Sequence, residues 1–260
     1  MNKWIKKSIN LANSPGYLDK LFEVYPIESR EIRQISAKIK ERIKNAFRAK
    51  DKLLLVKTLL ELPKFPIDDP YIASLRKYPS LLNKNPKTVK RIGKRLLSIK
   101  MGTLLELAVQ PKSPSRQLGH SFKRWLQTIN YPFLDEKEFL NSKDSVVFLK
   151  GGDKKLKQFA QSKFKIRIPT GKGPDFILKI NNKFFIGESK FLTDYGGSQD
   201  NQFNNAIKML KITKKNVEGI AVLDGIVWFK SGSHMYKTIA KQKGIALSAL
   251  LLEEFIKEEK

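Results

Sequence analysis

Residues 173–190 read GPDFILKINNKFFIGESK. Two short apolar runs flank Asn181-Asn182, and a carboxylate sits near each outer end, at Asp175 and Glu188. Short runs of aromatic and β-branched residues bounded by turn formers read as strands, and an Asn pair suits a two-residue hairpin turn. Counting outward from that turn sets the register: Ile180 faces Lys183, Leu178 faces Phe185, and Asp175 faces Glu188. Alternation then puts Asp175, Ile177, Glu188 and Lys190 on one face, with Phe176, Leu178, Phe185 and Ser189 on the other. Directly opposed residues have Cβ atoms about 5 Å apart, and like charges there repel. Stability alone gives no reason for such a pair.

A divalent cation does. Mg²⁺ prefers hard oxygen ligands and is held by one or two carboxylates, with water and substrate phosphate completing its shell. Bound there, it polarises a scissile phosphate and lowers the pKa of an attacking water. Lys190, on the same face, is placed to activate or orient that water, or to stabilise charge in the transition state. The plainer reading is a surface hairpin with Glu-Lys and Asp-Lys pairs, each worth about 0–1 kcal/mol.

The charge balance favours a polyanion partner. The 260-residue chain carries 51 Lys and Arg against 25 Asp and Glu, a net charge of +26. Residues 1–100 contribute +15, residues 101–150 +2 and residues 151–260 +9. Between Pro70 and Leu105 stand nine Lys or Arg and no acid. Nucleic acid is the usual partner of such a surface, and a membrane surface the lesser alternative. Cysteine is absent, which excludes disulfides, thiol nucleophiles and thiolate metal sites. The N-terminal stretch lacks the apolar region of a signal peptide, and the longest apolar runs are too short to span a bilayer. A cytoplasmic protein with no membrane association is expected. No GxxxxGK[ST] loop is present, so no nucleotide cofactor is expected. His120 and His234 have no metal-ligand spacing.

The chain changes texture along its length. Residues 1–100 read as a basic, mainly helical region, the expected DNA-binding part, and residues 101–260 as the catalytic part. A long helix is expected from about Ile27 until Pro63, Pro66 and Pro70 break it. A second begins at Pro86, with Val89, Ile92, Leu96 and Leu97 inward and Lys87, Lys90, Arg91, Lys94 and Arg95 outward. That outer face is either a phosphate-contacting surface or a solvated one. Glu106 lies in a short helical piece bracketed by Gly102 and Pro111, and Ser115 is a candidate cap for the helix through Trp125. Beyond residue 143, strands are expected at 144–152, 174–180, 183–192, 219–225 and 226–230, helices at 154–163 and 199–211, and a helical C-terminus.

Pro174-Asp175 followed on the next strand by Glu188-Ser189-Lys190 resembles the PD-(D/E)xK nuclease superfamily, and within it type II restriction endonucleases. GESKFLTDYGGSQDNQF, a helix and AVLDGIVWF extend the resemblance, and SRQLGHSFKRWL (115–126) is similar to a helix ahead of the core in such enzymes. The resemblance covers about residues 101–230. It implies an α/β fold with a restriction-endonuclease-like core, a mixed sheet flanked by helices, behind the N-terminal helical region. It implies cleavage of double-stranded DNA with Mg²⁺, for which Mn²⁺ can substitute, leaving 5′-phosphate ends. Asp175, Glu188 and the Ser189 backbone carbonyl would hold the metal, with Lys190 near the nucleophilic water. An upstream acid often joins such sites; Glu106 is the candidate, or else an exposed helix acid. A homodimer is implied, since both strands of a palindromic target must be cut.

Further DNA contacts are expected from Arg116 and Lys123 and from the amide cluster Gln199, Asn201, Gln202 and Asn205, because Asn and Gln read adenine edges. Capping by Ser198 and solvation account for that cluster equally well. A structure-directed repair or junction-resolving nuclease of the same superfamily, and a DNA-binding protein without activity, are the alternatives.

Overall fold

The computed structural model describes residues 1–26, 34–110 and 118–260. Among these, the helices are α1 (Lys3–Ala12), α2 (Tyr17–Val24), α3 (Ala37–Arg48), α4 (Lys52–Leu60), α5 (Ile72–Lys77), α6 (Leu81–Lys84), α7 (Pro86–Leu97), α8 (Met101–Val109), α9 (Leu118–Leu126), α10 (Glu136–Asn141), α11 (Asp153–Phe164), α12 (Gly197–Met209), α13 (His234–Ala240) and α14 (Leu252–Glu259). The strands are β1 (Phe133–Leu134), β2 (Val146–Leu149), β3 (Phe176–Ile180), β4 (Lys183–Leu192), β5 (Thr213–Lys214), β6 (Val217–Gly225) and β7 (Ile245–Leu247). They fall into two compact units, Met1–Ile27 with Pro114–Lys260, and Glu28–Ser113.

The first unit is a mixed sheet in the order β1-β2-β3-β4-β6-β5, with β7 also pairing β6. The β3–β4 hairpin has the register counted from sequence, with Phe176 opposite Gly187, Leu178 opposite Phe185 and Ile180 opposite Lys183. Asn181 at the turn has a left-handed φ of 52°, which Asn tolerates better than most residues. From β4 the chain crosses over through α12 and returns parallel in β6, pairing Phe184 through Leu192 with Val217 through Gly225. Every residue of β3 is buried, as expected of a strand covered on both faces. One face packs Phe176, Leu178 and Phe185 under α1, α2, α9, α13 and α14. The other packs Ile177 and Ile186 under α10 and α11. Burying each such side chain contributes about 1.5–3 kcal/mol.

The second unit is all helical. Ile43, Leu55, Leu59, Ile92 and Leu96 form its core, and Lys87, Lys90, Arg91, Lys94 and Arg95 are exposed on the far side of α7.

Packing divides the chain differently from the boundary expected at residue 100. Trp4, Ile5, Tyr17 and Leu21 belong to the core of the sheet unit, because the sheet needs cover that α1 and α2 supply. Leu104 and Ala108 of α8 belong to the helical core instead. The single long helix expected before Pro63 is two. Lys50 takes a φ of 54°, and Lys50 N and Asp51 N donate to the Phe47 and Ala46 carbonyls, the paired bonds of a Schellman stop. Asp51 then caps α4 by accepting from Leu54 N at 2.9 Å. Residues 226–230 are not a strand: Ile226–Trp228 is a 3₁₀ turn, tied by Trp228 Nε1 donating to the Leu223 carbonyl. The C-terminal stretch is not continuously helical, because Ile245–Leu247 docks on β6 as β7. Ser115 lies outside the described residues. Ser198 does not cap α12, which starts at Gly197.

The Leu-Asp-Gly stretch at Asp224 reads by composition as a turn, yet Asp224 is wholly buried in β6. Its carboxylate accepts from Tyr17 Oη at 3.2 Å, Tyr25 Oη at 2.8 Å, Ser248 Oγ at 2.5 Å and Ala249 N at 3.1 Å. These bonds join α2, β6 and the chain after β7. Burial pushes the carboxyl up to about 6, against hydrogen bonds that favour the ionised form. The folded protein therefore holds a proton between about pH 4 and 6 that an unfolded aspartate has lost. Stability from this group is greatest below about pH 4, declines to about pH 6 and is flat above. Asp224→Asn is expected to remove that decline from a series of urea unfolding curves across pH 4–7. At pH 7, Tyr25→Phe is expected to cost about 1.5–3 kcal/mol in the same assay.

Candidate active site

Asp175 stands just before β3, and its N–H donates to the Gly187 carbonyl at 2.8 Å, continuing the ladder. Asp175 Oδ2 accepts from Ser189 N at 2.9 Å and Ser189 Oγ at 3.2 Å, which aims the carboxylate across the hairpin. Lys190 Nζ donates to Glu188 Oε1 at 2.5 Å and to the Ser189 carbonyl at 2.9 Å, and lies 3.6 Å from Asp175 Oδ2. One cationic group thus sits where both carboxylates and a main-chain carbonyl converge.

The Glu188 side chain is 7% exposed, and its Oε2 has no hydrogen-bond partner. Leaving a buried polar group unpaired costs about 1–3 kcal/mol, more for a charged one. Burial pushes the Glu188 carboxyl up, Asp175 pushes it further, and Lys190 pulls it down. Like charge at close range is thus as real in the fold as the hairpin count implied.

These groups line a cleft of about 650 Å³. Lys123, on α9, reaches into it and bridges Asp153 Oδ1 at 2.6 Å and Asp175 Oδ1 at 3.1 Å. Burial works against the Lys123 ammonium, but the Asp153 hydrogen bond and the Asp175 charge outweigh it and raise its pKa. Gln202 and Asn205 also line the cleft, from successive turns of α12, as do His120, Thr170 and Lys172.

Two glycines set this geometry by permitting close approach. A Cβ on Gly187 would meet the Phe176 ring at 2.0 Å, so the ring lies over the strand beside Glu188. A Cβ on Gly173 would meet the Asp153 carbonyl at 1.7 Å, so the chain entering Asp175 lies against the start of α11.

The structure therefore brings together Asp175, Glu188, Ser189, Lys190, Lys123, Gln202 and Asn205. Gln199 instead accepts from Thr193 N at 3.4 Å, and Asn201 is exposed. Glu106 belongs to the helical unit, beside Ile35, Lys40, Leu105 and Val109. Arg91 pairs with Asp69 at 2.6 Å and Arg95 donates to the Asp68 carbonyl at 2.9 Å, so α7 is not without compensating partners. Lys87, Lys90 and Lys94 have no ion pair with a described residue. Arg116 lies outside the described residues. Asp153 was missed; its sole sequence signal was a carboxylate opening a helix after Gly151-Gly152. Among the described residues, no cluster of three or more His, Cys, Asp or Glu side chains stands ready to hold a metal ion.

A mixed sheet flanked by helices, carrying these carboxylates and lysines at a strand end, is compatible with a restriction-endonuclease-like core. The sequence model of the Tsp45I type II restriction enzyme family matches residues 2–258, and the chain belongs to that family. It is a DNA endonuclease of the type II restriction class. No curated protein and no solved structure matches the chain. No helix among the described residues is long and apolar enough to cross a membrane.

Gly173→Ala is expected to cost about 1–3 kcal/mol through overpacking and to lower DNA cleavage by displacing Asp175 from Asp153. Denaturant unfolding and a cleavage time course on the same preparation check both.

Proposed function

We propose that this chain is a PD-(D/E)xK enzyme that hydrolyses duplex DNA with Mg²⁺, or Mn²⁺ in its place, and leaves 5′-phosphate ends. The observation that carries the reading is the convergence of Asp175 Oδ2, Glu188 Oε1 and the Ser189 carbonyl on one cationic nitrogen. That donor set is all hard oxygen, and Glu188 Oε2 lacks a partner, so the residues fit a divalent cation that takes two carboxylates and fills its shell with water and phosphate. When bound, the cation supplies Lewis-acid polarisation of the phosphate and an acidified water.

The chain's own groups do the rest. Asp175, pinned by the Ser189 N–H, and Glu188, pinned by burial, present fixed carboxylate oxygens and undergo no reorganisation during reaction. Lys190 orients the attacking water beside them. The water oxygen bonds to phosphorus, the bond from phosphorus to O3′ breaks, and the water proton lost is balanced by one gained at O3′. Gln202 and Asn205 face the entering duplex from α12.

Lys87, Lys90, Lys94 and Arg91 on α7 contact phosphates. A homodimer would place one cleft on each strand of a palindromic target, and sedimentation of the protein with and without duplex tests it.

Phage-length duplex DNA incubated with the protein and Mg²⁺ is expected to give discrete bands on a gel, lost with EDTA and lost with Asp175→Asn. Duplex binding by Asp175→Asn is expected to persist. Cleavage by Asp175→Asn would overturn the site assignment, and a smear would favour a structure-directed nuclease.

Binding by α7 has its own signature. Replacing Lys87, Lys90 and Lys94 with Ala is expected to flatten the plot of log affinity against log salt by about 0.9 per lost phosphate contact. An unchanged slope in anisotropy titrations would mean that this face is only solvated.

A further inference from the structure

We infer that Lys123 is a second catalytic lysine, contacting a non-bridging oxygen of the scissile phosphate, and that Asp153 is the residue that positions it. The inference rests on the cleft being the hydrolytic site proposed above.

The two oxygens of Asp175 face different ammonium groups: Lys190 lies 3.6 Å from Oδ2 and Lys123 lies 3.1 Å from Oδ1. They approach from separate elements, Lys190 from β4 and Lys123 from α9. The cleft thus presents a cation on each side of the carboxylate nearest the reaction. Lys123 comes one residue after buried Phe122 and three before buried Leu126, so its stem leaves a packed helix face. Its side chain is 35% exposed, open enough for a phosphate to reach. A freely solvated lysine samples many rotamers; this one is held by two carboxylates, which fixes its ammonium beside Asp175 in the cleft.

Charge balance gives it a use. Asp153, Asp175 and Glu188 line the cleft against Lys123, Lys172 and Lys190, so without Lys123 an entering phosphodiester meets an excess of negative charge. The non-bridging oxygens gain negative charge as water bonds to phosphorus, so a donor fixed beside them stabilises the transition state more than the bound substrate. Lys123 keeps its proton throughout: it donates hydrogen bonds, while the water proton and the O3′ proton balance elsewhere.

Asp153 is built for the positioning role. It opens α11, where a first-turn carboxylate is favoured, and Gly173 lets the Asp175 segment approach it. It holds Lys123 at 2.6 Å, closer than Asp175 does. A purely structural tie between α9 and α11 would use the same contacts but would leave turnover untouched once the protein is folded.

The test runs wild type, Asp175→Asn, Lys123→Met, Lys123→Arg, Asp153→Asn and the Lys123→Met/Asp153→Asn double variant side by side. Cleavage of phage-length duplex at saturating protein with Mg²⁺ gives the turnover rate. Anisotropy with labelled duplex in EDTA gives affinity, and thermal unfolding confirms folding. Asp175→Asn is expected to be inactive. Lys123→Met is expected to lose about 100-fold in rate while its affinity changes far less, and Lys123→Arg to recover part of the loss. Asp153→Asn is expected to be slowed to a lesser degree, and to add little in the double variant. Lys123→Met cutting at the wild-type rate, or losing affinity in proportion to rate, would overturn the catalytic role and leave the site reading standing. Active Asp175→Asn would instead bring down the site reading, and this inference with it. Should Lys123→Met not fold, Asp153→Asn decides, a folded variant with undiminished rate overturning the proposal.

Discussion

Two carboxylates facing each other across a hairpin end repel, and the cleft exists because ammonium groups stand between and beside them. Asp175 is flanked by Lys190 on one oxygen and Lys123 on the other. Glu188 is buried against Lys190 with one oxygen unmatched. Removing either lysine leaves like charges in a poorly hydrated place, where Coulomb energies are several times those in water. The site is therefore a neutralised cluster inside a chain of net charge +26, and the surrounding excess draws a polyanion toward it.

The scaffold makes that cluster rigid. β4 lies between its hairpin partner β3 and the parallel strand β6, so the backbone carrying Glu188, Ser189 and Lys190 is bonded on both sides. Both faces of the sheet are covered by apolar side chains. Just beyond Lys190, Phe191 pairs with Asp224 in the ladder and stacks edge-on against Tyr25 at 4.9 Å. The Asp224 hydrogen bonds fasten α2 and the chain after β7 to that strand end. A buried network of this kind is worth keeping only if every member is satisfied, and each Asp224 oxygen accepts two bonds.

The hairpin was legible because its information is local. Alternation and a two-residue turn determine which residues oppose one another, and that register holds in the fold from Phe176 to Lys183. Helix α7 was legible for a similar reason, with Pro86 opening it and Val89, Ile92 and Leu96 marking its inner face. What local pattern misjudged was decided by partners distant in sequence. Ile245–Leu247 has no strand signal of its own strong enough to oppose a helical reading, yet β6 offers it an unpaired edge. The stop at Lys50 needed a left-handed residue that is not Gly, which propensity does not flag.

Sequence by itself thus determined the acid pair, its lysine, the strand pairing that joins them and the basic character of the partner surface. Tertiary structure alone decided that α1 and α2 cover the sheet, that Asp224 is a buried anchor and not a turn, and that Asp153 and Lys123 meet Asp175. The physical reason is range. Register and helix faces follow from periodicities of two and 3.6 residues, whereas Lys123, Asp153 and Asp175 come from three elements whose meeting depends on how a loop passes Gly173 and how a helix packs.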